Sequence, residues 1–284
     1  MKVGAHVGAS GGLTTAFERA QAIGAETIQI FGAPPQTWRR RTIRPDECEA
    51  FRARMKETGI EPVFIHGVYL INLATGSPEQ LAKSTEALAG DLRLASAIAA
   101  QGVIFHVGSH KGAGFDAVLP QIADALRKVL ADTPQDAWVI LENSAGMGGS
   151  VGSTFQELAA IMGAVKSARL KICFDTEHAY AAGYNVADRD GLEATIAEFQ
   201  REIGLEQLVA VHANDSKIAL GGGVDRHDNI GEGHIGRAGF EVIMAHPAFR
   251  EAPFLLEVPG FENEGPDKPN VDILKEIRAR VGAR

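Results

Sequence analysis

Apolar residues along this chain follow two alternating periods. Short, nearly continuous aliphatic and β-branched runs (KVGAHV, ETIQIF, EPVFIH, GVIFHV, AWVILEN, LKICFD, LVAVHAN and PFLLEV) are separated by longer stretches with apolar residues three and four apart. Examples of the latter are LTTAFERAQAIG, PDECEAFRARMKETG and PEQLAKSTEALAGDLRLASAIAA. The first pattern predicts strands buried on both faces, and the second predicts amphipathic helices. Pro45 and Pro78 stand where a first-turn proline is tolerated, and Gly24 and Gly59 follow two of the helices as caps. Continuous apolar strands alternating with helices imply a parallel sheet with a covered outer face. Eight such units predict an α/β fold, a closed (β/α)8 TIM barrel, with residues 1–284 forming a single domain. A solenoid of eight units would carry a repeated signature, and these units share none.

The predicted strand ends are His6, Phe31, His66, His106, Glu142, Asp175, His212 and Glu257, spaced about 36 residues apart, which leaves room for strand, helix and two loops. Seven of these eight positions carry His, Asp or Glu. With 9 histidines and 36 acidic residues in 284, chance would place between one and two there. In such a barrel the C-terminal strand ends form one mouth. Imidazoles and carboxylates gathered there would stay desolvated and unpaired unless cations sat among them. Mixed imidazole and carboxylate ligation suits zinc, manganese or iron better than magnesium or calcium.

Two local arrangements extend the set. In FDTEH, Asp175 and His178 lie three apart at the end of the sixth strand. In VDRH, Asp225 and His227 lie two apart in the loop after the seventh, so they share a face when the segment is extended. The nine candidates His66, His106, Glu142, Asp175, His178, His212, Asp225, His227 and Glu257 exceed the four to six ligands of one ion, so two or three ions are expected. Any one of these histidines alone reads more simply as a core side chain, but core histidines have no reason to collect at one end of successive strands. His6, His110, His234 and His246 keep the structural reading.

Composition sets bounds on the rest. Hydrophobic content of 45% and charged content of 23% are ordinary for a globular protein. No apolar run approaches the ~20 residues of a membrane span, and MKVGAHVGAS shows no secretory signal. Cys48 and Cys173 form no metal-ligand spacing and fit a reducing, cytoplasmic setting. The formal charge of −8 argues against a generic nucleic-acid binder. Bound cations would nevertheless turn the mouth locally positive, because net charge does not set the field at a metal site. Arg39, Arg40, Arg41 and Arg44 of WRRRTIR, with Lys111, Lys217 and Arg226, are candidates to grip phosphates, or else form a solvated face.

At these residues the sequence resembles the endonuclease IV family of apurinic/apyrimidinic endonucleases. The likeness runs in order from GAHVGASGGL through HGVYLINL, FHVGSH, LENSAGMG, FDTEHAYAAGYN, VHANDSK and VDRHDNIGEGHIG to LLEVPG, nearly the whole chain. The resemblance implies three divalent ions, usually zinc, with manganese as the alternative. His66, His106 and Glu142 would hold one. Glu142 would bridge to a second, completed by Asp175, His212 and Glu257, and His178, Asp225 and His227 would hold the third. It further implies a monomer that cleaves double-stranded DNA 5′ to an abasic site, leaving a 3′-hydroxyl and a 5′-deoxyribose phosphate, with Glu142 orienting or deprotonating the nucleophile. Tyr69 and Leu70 match the family's wedge loop. Lys217 and Arg226 lie within motifs beside the site. Near Trp38 the chain departs from the pattern: Gln36, in GAPPQTW, stands where the family carries an arginine that enters the base stack.

Two rivals follow from the same residues. Glu142, Asp175, His212 and Glu257 alone would serve a one-metal sugar isomerase or epimerase on this barrel, but that enzyme needs no ligands at His66, His106, His178, Asp225 and His227. The altered GAPPQTW loop instead suggests a DNA-damage binding protein with little turnover, against which the intact ligand set argues.

Overall fold

The structure, a computed structural model, describes residues 1–40, 42 and 44–282. Eight parallel strands close a barrel: β1 (Val3–His6), β2 (Ile28–Phe31), β3 (Val63–His66), β4 (Gly102–Phe105), β5 (Trp138–Glu142), β6 (Leu170–Asp175), β7 (Leu208–His212) and β10 (Phe254–Leu256). Closure comes where β1 pairs with both β10 (Val3 opposite Phe254) and β2 (Ala5 opposite Ile28). Outside the barrel, β8 (Asp215–Ser216) and β9 (His227–Asp228) form a short antiparallel hairpin in the loop after β7. No helix among the described residues is long and apolar enough to cross a membrane.

Helices follow the predicted pattern closely. α1 (Thr15–Ile23) ends at Gly24 with φ 76°, and α2 (Pro45–Thr58) ends at Gly59 with φ 67°, a left-handed conformation that glycine adopts without strain. Pro45 and Pro78 are the first residues of α2 and of α3 (Pro78–Ile98). α4 (Phe115–Ala131), α5 (Phe155–Val165), α7 (Arg189–Glu202), α8 (Gly236–Ala245) and α9 (Lys268–Gly282) complete the outer layer. The sequence pattern did not foresee the β8–β9 hairpin or the short helix α6 (Thr176–Ala182). Two-residue strands are too short for a period to register. α6 begins because the Asp175 side chain accepts a hydrogen bond from the His178 backbone N–H at 2.8 Å, a helix cap.

The strands sort their side chains onto two faces. Residues such as Val63, Ile65, Val103, Val139, Leu141, Phe174 and Val211 join the helices in the large outer core. Alternating with them, Phe64, Ile104, Ile140, Cys173, Ala210 and Leu255 pack into a separate cluster that fills the barrel interior. Each of those six stands two residues before a candidate ligand: His66, His106, Glu142, Asp175, His212 and Glu257. Side chains two apart on a strand share a face. The candidate ligands therefore form the next interior layer, about 7 Å up the barrel towards its C-terminal mouth.

Candidate metal centre

Glu142 is the hub of this upper layer. It is fully buried, and its Oε2 lies 3.3 Å from His66 Nε2 and 3.5 Å from His106 Nε2. Its Oε1 lies 2.8 Å from His212 Nδ1 and 3.4 Å from His178 Nδ1. Burial alone would raise its pKa, but the imidazoles of His106 and His212, with hydrogen bonds from His178 and His212, hold it well below the usual carboxylate range. Glu257 and Asp175 converge on the same place, with Glu257 Oε2 at 3.2 Å and Asp175 Oδ2 at 3.8 Å from His212 Nδ1. From the loop after β7, Asp225 reaches His178 Nε2 at 3.3 Å and His227 Nε2 at 3.4 Å. All nine sequence candidates thus meet in one pocket.

The histidines are oriented by what their second ring nitrogen touches. His66 Nδ1 donates to the Gly67 carbonyl at 2.7 Å, and His178 Nδ1 to the Asn143 carbonyl at 2.9 Å. His227 Nδ1 faces the Glu257 carbonyl at 3.3 Å. His212 is turned the other way: its Nε2 donates to Gln29 Oε1 at 2.9 Å, while Gln29 Nε2 donates to Glu257 Oε1 at 2.6 Å. With one nitrogen fixed as a donor, the other presents its lone pair towards carboxylate oxygens. A lone pair facing carboxylates is repulsive unless a proton or a cation lies between them. Burial opposes charging His212, yet Cys173, Glu257 and Glu142 push its pKa well above the ordinary value.

Buried polar atoms without partners mark the same pocket. Among the described residues three such side-chain atoms are His227 Nε2, Glu177 Oε2 and Asp91 Oδ2, and the first two belong here. Among the described residues three groups of side chains are able to hold metal ions: His66, His106 and Glu142; Glu142, Asp175, His212 and Glu257; and Asp175, Glu177, His178 and His227. The donor chemistry suits a transition metal. The first two groups coincide with sets expected from the sequence. The third departs from the expected His178, Asp225 and His227: it keeps both histidines but gathers Asp175 and Glu177 about them, with Asp225 reaching the same two rings from the loop. Glu177 was missed because it sits inside FDTEH between two stronger candidates. Burial raises the Glu177 carboxyl to about 6.

Gln29, Asn143 and Asn214 were also missed. Asn214 Nδ2 donates to Asp175 Oδ2 at 2.7 Å, and its Oδ1 accepts from the Glu257 backbone N–H at 2.8 Å. Asn143 Oδ1 accepts from the Asp175 backbone N–H at 2.7 Å. His6, expected to be a core or supporting imidazole and not a ligand, lies at the edge of the site, with Nδ1 3.6 Å from Glu257 Oε1 and its ring 4.4 Å from Phe31. His110 keeps the structural reading, accepting from the backbone N–H groups of Gly112 and Gly114. His246 caps the turn at Ala248, and His234 bonds through its backbone to Ser216.

The residues expected to contact DNA differ in exposure and surroundings. Tyr69 is 60% exposed, with its ring 5.8 Å from that of His66. Leu70 is half-buried against the core. The Tyr69 backbone N–H donates to the Pro35 carbonyl at 3.1 Å, tying its loop to the one carrying exposed Gln36 and half-buried Trp38. Lys217 and Arg226 are exposed on opposite arms of the β8–β9 hairpin, joined by Lys217 N–H to Arg226 O at 2.9 Å. The arginine run divides. Arg40 is held at 2.5 Å by buried Asp91, and Arg44 pairs with Asp46 at 2.8 Å beside the start of α2, so neither hangs free for phosphate. Arg39 is exposed, while Arg41 lies outside the described residues.

The family described as "Xylose isomerase-like TIM barrel" matches residues 17–279, so fold and pocket together place the chain in that class. A 37% identical relative, "Probable endonuclease 4" of Chloroflexus aurantiacus, aligns over 97% of this chain and 98% of its own. The crystal structure of endonuclease IV from Thermus thermophilus is 34% identical, covers both chains fully and superposes with a TM-score of 0.86. A D-tagatose 3-epimerase-like protein shares the fold, with a TM-score of 0.75 at 21% identity and coverage of 100% and 99%. Within the class, the chain belongs to the endonuclease IV family.

Proposed function

We propose that this chain is an apurinic/apyrimidinic endonuclease, a hydrolase of DNA base-excision repair that cuts double-stranded DNA 5′ to an abasic site and leaves a 3′-hydroxyl and a 5′-deoxyribose phosphate. The observation that carries this reading is the Glu142 carboxylate with four imidazoles within 3.5 Å, several of them turned by fixed partners to present a nitrogen lone pair. Membership of the endonuclease IV family supplies the substrate class.

In this reading His66, His106 and Glu142 hold one divalent ion. Glu142, Asp175, His212 and Glu257 hold a second, and His178, Asp225 and His227 hold a third, with zinc as the expected metal and manganese as the alternative. Ions held there would supply two things: a more acidic bound water and positive charge to offset the departing oxygen. The protein's part is positional. Glu142 spans two subsites and can orient the attacking water, while Gln29, Asn143 and Asn214 fix the ligands that surround it. Tyr69 and Leu70, with Gln36 and Trp38 on the adjoining loop, meet the gap left where the base is missing. Lys217 and Arg226 lie where the flanking phosphates would pass. In this reading the chain works as a monomer, and its two free, buried cysteines fit a reducing, cytoplasmic setting. A one-metal isomerase has no use for His66, His106, His178, Asp225 and His227, which the same pocket gathers.

The test is a duplex carrying one tetrahydrofuran abasic analogue. Nicking at the 5′ side is expected, with slow loss under chelation and recovery on adding zinc or manganese. Absence of nicking in a metal-loaded sample, or recovery with magnesium alone, would refute the assignment.

A further inference from the structure

Glu177 is fully buried on the first turn of α6, between Asp175 and His178. Its two oxygens face different tasks. Oε1 accepts from Ser216 Oγ at 3.1 Å and from the Arg226 backbone N–H at 3.2 Å, one donor from each arm of the β8–β9 hairpin. That hairpin delivers Asp225 and His227 to the pocket. Oε2 has no partner, and a Glu177 carboxylate oxygen comes within 4.8 Å of ligand atoms of Asp175, His178 and His227. Anchoring the hairpin accounts for Oε1 alone. An idle oxygen on a buried carboxylate is costly unless a cation or donor faces it. Charge points the same way. The second-ion set contains three carboxylates, whereas His178, Asp225 and His227 contain one, and the Asp225 side chain is 49% exposed.

We propose that Glu177 is a fourth residue of the third-ion subsite: one oxygen anchors the arm that carries Asp225 and His227, and the other supplies a second anionic donor to the same ion. This rests on the reading that the subsite holds a divalent ion. Metal-free full-length chain is titrated with zinc against a competing chelator, comparing the unaltered sequence with Glu177→Gln, Glu177→Ala and Ser216→Ala. The amide of Glu177→Gln still accepts from the hairpin but lacks the anionic oxygen. Both Glu177 variants are expected to keep two tight ions and to bind the last one ~10–100-fold more weakly, as for lost ligand support. Ser216→Ala, which removes one anchor and no donor, should stay close to the unaltered chain. If Glu177→Gln binds all its ions with unaltered affinity, or Ser216→Ala weakens the last ion equally, the donor role is overturned. Should Glu177→Ala fail to fold, Glu177→Gln decides alone. An unaltered chain that takes up fewer than three ions instead overturns the three-ion reading itself, and this inference with it.

Discussion

Two positions of chain separate a packed layer from a reactive one. Phe64, Ile104, Ile140, Cys173, Ala210 and Leu255 fill the barrel interior, and two residues further on the same strand faces carry His66, His106, Glu142, Asp175, His212 and Glu257. Backbone geometry is common to both layers, so the difference lies wholly in the side chains. The lower layer needs only close packing, which any apolar set of the right volume supplies. The upper layer brings like charges and lone pairs together out of water, an arrangement stable only around cations or protons. The lower layer acts as a rigid floor, and the upper layer is the machinery mounted on it.

Altering each layer in turn should separate these roles. The largest effect is expected for Glu142→Ala, which removes the hub shared by four imidazoles. Nicking of the abasic duplex should fall by roughly 10³-fold or more, the scale of losing a principal electrostatic group, with a matching loss of bound metal by mass spectrometry. Full activity would detach the chemistry from the layer. Gln29→Leu leaves every proposed ligand in place but frees His212 to rotate and change tautomer. Zinc affinity and turnover should each drop by ~10–100-fold, and unchanged affinity would show that the amide merely fills space.

In the floor, Ile140→Val removes one buried methylene group. Stability in urea should drop by about 1 kcal/mol while metal content and nicking stay as they were. A clear loss of metal would mean that the two layers are not separable. The smallest effect lies at the opposite end of the barrel. There Arg278 donates to both oxygens of Glu26 at 2.6 and 2.9 Å, and Val3 N–H adds a third hydrogen bond at 3.0 Å. Burial raises the Glu26 carboxyl, but these partners bring it down to about 2. A depressed carboxylate stabilises the fold above its ordinary pKa of 4.5 and ceases to do so as pH falls through about 2. Because the pair is partly exposed, Glu26→Gln should cost no more than about 1 kcal/mol at pH 7. The gap to the unaltered chain in urea midpoint should narrow as pH falls from about 4.5 towards about 2. A gap that persists at the acid end would assign the loss to packing.

The legibility of these regions in the sequence differs for the same physical reason. Strands and ligands stood out together because buried parallel strands read as apolar runs, and a His, Asp or Glu ending seven of the eight runs breaks that composition sharply. VDRH was readable from period two alone, and the structure brings Asp225 and His227 together on His178. The supporting amides were not readable. Gln29 lies within an apolar strand, and Asn143 and Asn214 directly follow Glu142 and precede Asp215, so nothing local marks them as partners of residues far along the chain. His6 ends the first strand, and its neighbour Glu257 lies at the far end of the sequence, so nothing local shows which carboxylate it supports. The arginines of WRRRTIR left phosphate contact and solvated face both open, since a cationic run says nothing of the buried Asp91 that claims Arg40.

The most direct test of the central claim is elemental analysis of the full-length chain supplied with zinc and then desalted. The account predicts roughly three divalent ions per chain, one for each set of three or four protein ligands once Glu142 is shared. One ion or none, on a folded sample, would contradict it.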